Sequence, residues 1–166
     1  MKLTHALALV LSAVTLLSAG TGCKKVSKSL TEKAIEEGTG AKNVDLSDNK
    51  MKFEGPNGQK MAMGENVPLP DGWPKDRIPA YPGAKITGAV SMGGQLSLIA
   101  ESADSPEKVK AFYKGKLSSY KEEAMFTTPQ GFTAAYKNAT ETIALTANNT
   151  GDEKTMISVS ITPDKK

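Results

Sequence analysis

The chain has 166 residues, with 21 Lys and Arg against 18 Asp and Glu and a formal charge of +3 at pH 7. That length suits one domain with a real core, and the near-balanced charge carries no footprint for nucleic acid, which is excluded as a partner. A single histidine and a single cysteine leave little scope for imidazole or thiolate chemistry, and no intramolecular disulfide.

Met1-Lys2-Leu3-Thr4-His5 forms a short positive head, and an apolar run follows from Ala6 through Leu17. A charged head, an apolar stretch of about ten residues and then small residues describe a secretory signal peptide. The run is too short for a membrane-spanning helix, which needs about twenty apolar residues. Leu17-Ser18-Ala19-Gly20-Thr21-Gly22-Cys23 resembles the lipobox of bacterial lipoproteins, with Gly20 standing where a leucine-like residue is usual. The resemblance implies cleavage between Gly22 and Cys23, a diacylglyceryl group on the Cys23 sulfur and anchorage in the bacterial cell envelope. Lys24 follows the cysteine where aspartate would mark inner-membrane retention, so the outer membrane is implied for a Gram-negative cell.

With His5 in the leader and Cys23 lipidated, residues 23–166 hold neither imidazole nor free thiol. Ser-His, Cys-His and histidine-based metal sites are therefore excluded. No glycine loop suited to phosphate appears, so the chain is read as non-enzymatic, without catalytic residues, metal or cofactor. Met51, Met61 and Met63 contain the thioethers a copper site would use, but methionine more often fills gaps beneath a small sheet.

Residues 23–42 read as a lipidated tether ending in a short helix. Ser29-Leu30-Thr31-Glu32 has the capping-box pattern, Leu30, Ala34 and Ile35 share one side, and Gly38 offers a left-handed exit. Residues 43–66 alternate as strands around Ser47-Asp48-Asn49 and Gly55-Pro56-Asn57-Gly58, which predicts a small β-meander. Residues 67–83 contain five prolines and read as an extended connector of polyproline character. Trp73 and Tyr81 in this connector are candidates for an interaction surface, or for side chains that pin the connector to the sheet.

Residues 84–162 are the best patterned. Ile86 to Met92 and Leu96 to Ala100 alternate on either side of Gly93-Gly94, a two-residue hairpin signal. Ser105-Pro106-Glu107 opens a helix whose stripe is Val109, Phe112, Tyr113, Leu117 and Tyr120. Strands are predicted around 123–127, 131–137, 142–147 and 155–162, and residues 163–166 form a polar tail. The fold expected is α+β: an antiparallel sheet with one main helix packed across a face, preceded by the short helix and the meander. The helix stripe should then meet Leu96, Leu98, Ile143, Leu145, Val159 and Ile161.

The run Pro79-Ala80-Tyr81-Pro82-Gly83-Ala84, followed by Asp104-Ser105-Pro106-Glu107-Lys108-Val109-Lys110-Ala111-Phe112-Tyr113, is similar to uncharacterised bacterial lipoproteins. They share a P-x-Y-P-G-A lead-in and a D-S-P-E-x-V-x-x-F-Y helix. The resemblance implies a fold and carries no functional residues. Two functions are then open: an interaction or structural module presented to another envelope protein, and a carrier holding an apolar ligand or lipid between helix and sheet.

Overall fold

A computed structural model of the protein describes residues 24–164 apart from Asp48 and Asp152; the expected signal peptide, with Gly22 and Cys23, lies outside the described residues. The elements run α1 (Lys24–Thr39), β1 (Lys42–Ser47), β2 (Lys50–Glu54), β3 (Lys60–Gly64), β4 (Lys85–Met92), β5 (Gln95–Ser102), α2 (Pro106–Lys116), β6 (Lys121–Thr128), β7 (Gly131–Lys137), β8 (Glu141–Asn149) and β9 (Thr155–Pro163). Among the described residues the fold is α+β, an antiparallel nine-stranded sheet with two helices, in the order β1-β2-β3-β4-β5-β9-β8-β7-β6.

That order consists of two meanders joined once. Strands β1 to β5 pair each with the next. The chain then passes through α2 to the far edge, enters as β6 and returns strand by strand until β9 pairs with β5. Links between strands that are neighbours in both chain and sheet range from two residues, as between β4 and β5, to the long connector between β3 and β4. Gly93 and Gly94, with φ of 58° and 86°, supply the two left-handed positions that a tight hairpin between β4 and β5 requires.

Burial alternates along β8 and β9. In β8, Ile143, Leu145 and Ala147 are buried, and in β9 Ile157, Val159 and Ile161. They share one core with Val109, Tyr113 and Leu117 of the α2 region, and with Trp73, Ile78 and Tyr81 of the connector. Because strand side chains alternate between faces, this core occupies one side of the sheet.

Three local expectations need correction. First, α1 is longer than the capping-box reading allowed: Lys24 to Lys28, read as tether, are helical, and the helix ends at Thr39, where the Gly40 N–H reaches the Glu36 carbonyl at 2.9 Å. Its expected apolar side is not buried, since Leu30 is 64% exposed. Carboxylates attach the helix instead. Leu46 N–H donates to Glu32 Oε1 at 2.8 Å, and Val44 N–H to Glu36 Oε1 at 3.1 Å. An i, i+4 pair lies on one helix face, so two glutamates satisfy two outward amides of an edge strand that would otherwise invite another chain.

Second, the proline connector is a succession of turns. Trp73 N–H donates to the Pro70 carbonyl, Arg77 and Ile78 N–H to that of Pro74, and Ala84 N–H to that of Tyr81. Pro82 followed by Gly83 at φ 74° matches the central pair of a type II turn, so fixed proline φ bends the chain here. Third, α2 stops at Lys116, with Leu117 as its C-cap, and Tyr120 lies beyond it. On the helix the fully buried ring is Tyr113, whereas Phe112 is half-buried, edge-on to Tyr81 with centroids 5.2 Å apart.

Ile143→Ala is expected to cost about 2–5 kcal/mol, as for a fully enclosed aliphatic side chain, and Lys114→Ala less than about 0.5 kcal/mol. Chemical denaturation of the two variants checks this. Replacing both Glu32 and Glu36 by Gln should weaken the tie between α1 and β1. Faster amide exchange at Val44 and Leu46, with the global unfolding midpoint nearly unchanged, is the expected result.

Candidate functional site

Cys23 and Gly22, the sequence-derived lipidation and cleavage residues, lie outside the described residues, and the description begins one residue later at Lys24. Trp73 and Tyr81 are described and are only 7% and 8% exposed. The Trp73 indole N–H donates to the Ile78 carbonyl at 2.7 Å, and the Tyr81 hydroxyl to Asp104 Oδ2 at 3.0 Å. Burial with the polar tip satisfied fits side chains that pin the connector to the sheet; neither ring is presented on the surface.

A polar cluster that sequence reasoning missed joins the connector to the sheet. Arg77 Nη1 donates to the Tyr120 hydroxyl oxygen at 3.0 Å and also pairs with Glu141, while the Tyr120 hydroxyl donates to the same Glu141 carboxylate. Glu141 is buried at the start of β8. The Glu141 hydrogen bond raises the Arg77 pKa, and burial followed by the neighbouring Glu141 raises that of the Tyr120 phenol. The Glu141 carboxylate is thus engaged at once by a guanidinium from the connector and by a phenol from beyond α2. The cluster therefore reads as a tie between distant segments, 64 residues apart for Arg77 and Glu141. No signal in the sequence pairs those positions.

Two hollows flank the β1–β3 end. One of about 290 Å³ lies where the connector passes the sheet, with Phe53, Met61 and Leu69 in its wall and Lys52, Glu54, Lys60 and Asp71 around it. An ion pair of 2.8 Å between Lys60 and Asp71 borders it. The other is open, against Met51 and Met63. Neither is lined by α2, where a carrier would hold its ligand. Among the described residues no helix is long and apolar enough to cross a membrane.

The most distinctive surface is the sheet face opposite the core. Register carries one row across all nine strands: Leu46, Met51, Met63 and Gly88 on β1 to β4, continuing through Ile99, Ser158, Thr146, Thr133 and Phe126. A second row begins at Phe53 and Met61, passes Val90, Ser97 and Ser160, and ends in Ala144, Ala135 and Ala124. Neither row contains an ionisable side chain. Four of the hydroxyls pair across strands, Ser97 with Ser160 at 2.9 Å and Thr133 with Thr146 at 3.2 Å, which reduces their demand for water. Charges stand at the borders, Glu101 opposite Lys85 at one end and Lys121 opposite Lys137 at the other.

Large exposed apolar side chains gather on this face. Met51, Met63, Met92, Phe126 and Met156 all belong to it by register, and Phe126 is 70% exposed. A solvent-facing side of an antiparallel sheet ordinarily alternates to polar residues; here the polar positions of the two rows are Ser and Thr without charge, and five large apolar side chains stand exposed on the same face. Compared with known proteins, the chain matches no family model, no curated protein and no solved structure.

Glu141→Gln is expected to leave Arg77 without its counter-charge and to cost about 1–3 kcal/mol, read from denaturant midpoints. The Tyr136 hydroxyl, by contrast, is buried with no hydrogen-bond partner, so Tyr136→Phe should be neutral or stabilising by up to about 1 kcal/mol. Burial also raises the phenols of Tyr113 and Tyr120 above the ordinary value of 10.0. The unfolded chain releases these protons first, so stability is full below pH 10 and falls as pH rises beyond it. Denaturation midpoints from pH 8 to 12, about two units either side of that value, should show the decline.

Proposed function

We propose that the protein is a lipid-anchored module of the bacterial envelope, without catalytic function, that works by presenting the uncovered sheet face to a protein partner. The observation that carries this reading is the pair of uncharged rows across the sheet. Exported chains held at a membrane by acyl chains are retained there for long times, so a binding face on such a chain acts at a fixed surface. The lipobox-like segment ending at Cys23 supports the anchorage. The described helix beginning at Lys24 would place the folded body close to the bilayer.

In the same reading α2 lies across the core side of the sheet. Support comes from its place in the chain, between β5 in the sheet's middle and β6 at its edge, and from Val109, Tyr113 and Leu117 sharing a core with Ile143, Leu145 and Val159. Each of these is at most 1% exposed. A core so enclosed favours the interaction module over an apolar-ligand carrier, which needs a cavity of roughly 300 Å³ or more between helix and sheet.

Cys23→Ser should release the protein from the detergent phase to the aqueous phase and leave an unprocessed precursor. Unchanged partition and processing would refute the anchor. For the face, Ala144→Glu should abolish association in the envelope with an unfolding midpoint close to wild type; retained association would refute its role.

A further inference from the structure

We propose, resting on the uncovered face as the working surface, that its partner is a second copy of this chain, packed face to face as a two-sheet sandwich. Size is the first argument. Eight inter-strand steps of about 4.8 Å make the nine-stranded face about 38 Å wide, and about six residues along each strand span about 20 Å. The product, close to 800 Å² per partner, is the area that stable protein interfaces bury on each side.

Chemistry is the second argument. Over the two central rows, copies facing one another bring neither like charges nor unpaired ions together, because those rows lack ionisable side chains. Four of the hydroxyls in the central rows, those of Ser97, Ser160, Thr133 and Thr146, already have partners within their own sheet, so covering them strands few donors. Small side chains fill the middle of the face. Ser160, Ala144 and Ala135 lie in one row, and Ser158, Thr146 and Thr133 in the next, a low floor onto which the larger methionines and Phe126 of a second sheet can settle. Sheets packed in this manner stand about 10 Å apart.

A bilayer fits the same face less well. Membrane-surface binding calls for Lys or Arg among apolar groups, or for Trp and Tyr at headgroup depth. The central rows contain none of the four, and the nearest lysines lie at the borders.

The experiment uses full-length protein processed and held in its native membrane. Cys23 is the chain's only cysteine and is consumed by lipid, so Thr146→Cys gives one free thiol in the centre of the face. Lys114→Cys gives one on exposed α2 surface. Both are treated with a water-soluble maleimide and, separately, with a short bis-maleimide. The expected result is labelling of Thr146→Cys at least tenfold slower than Lys114→Cys, with a cross-linked species of twice the monomer mass only for Thr146→Cys. Adding Ala144→Glu should remove the dimer and restore labelling. A slow thiol cross-linked to a protein of another mass, or to nothing, would overturn the second copy while keeping the face as a covered working surface. Equal, fast labelling of both thiols would overturn the second copy and the working surface together.

Discussion

The pairing of β5 with β9 is the constraint on which the rest of the molecule depends. Seven residues of β5, Leu96 to Ser102, pair antiparallel with Ile161 to Thr155, and this one ladder joins two meanders that would otherwise be separate sheets. A meander is built from local turns and closes cheaply. The β5–β9 ladder joins strands more than fifty residues apart along the chain, and its loop-closure cost is met by the buried side chains it brings together. Its register also aligns Leu98 with Val159 on the core side and Ile99 with Ser158 on the other. A slip of one residue would exchange the two faces.

From that alignment follows a division of labour between the faces. The core side takes the large aliphatic residues of the sheet, and Trp73, Tyr81, Val109 and Tyr113 belong to the same core. The Arg77–Glu141–Tyr120 tie then fastens the connector across the sequence. Stability therefore belongs to one side. The opposite side is left with Ser, Thr and Ala between outlying Met and Phe, a composition with little to lose on exposure and little to repel a partner. Edges are handled unequally as well. Glu32 and Glu36 occupy the outward amides of β1, whereas β6 carries charges and a bulge at its start, between Glu122 and Ala124, devices that discourage edge-to-edge pairing.

Much of this was legible in the sequence, because alternation and turn chemistry are local. The Gly93-Gly94 hairpin, the Ser105-Pro106 helix start and the strand at 131–137 follow from residues within a few positions of each other. The missed features depend on partners far away. Lys24 to Lys28 show no amphipathic signal, and α1 is attached through carboxylates to strand amides, which hydrophobic periodicity cannot register. Phe112 and Tyr113 lie on adjacent helix positions, and only the packing of Tyr81 and the Pro79 carbonyl, which accepts from the Tyr113 hydroxyl at 3.2 Å, selects Tyr113 as the buried ring. The uncharged face was hidden for the same reason. An i, i+2 pattern tells which residues of one strand share a side, but the two rows emerge only when nine strands are placed in order and register. A proline-rich stretch likewise suggested extension, although the Pro-Gly pair at Pro82-Gly83 already held the turn signal.

Methionine oxidation distinguishes the two faces within one molecule. Met51, Met63, Met92 and Met156 stand on the uncovered side, and Met125 packs against the core. Peroxide footprinting, read by mass spectrometry, can compare the detergent extract, diluted until association is lost, with the intact envelope. Fast oxidation of the four in the dilute extract, marked slowing of all four in the envelope and a slow, unchanged rate at Met125 are the expected results. Equal rates for the four in extract and envelope, or a Met125 as reactive as they are, would contradict a sheet that keeps its stability on one face and its partner on the other.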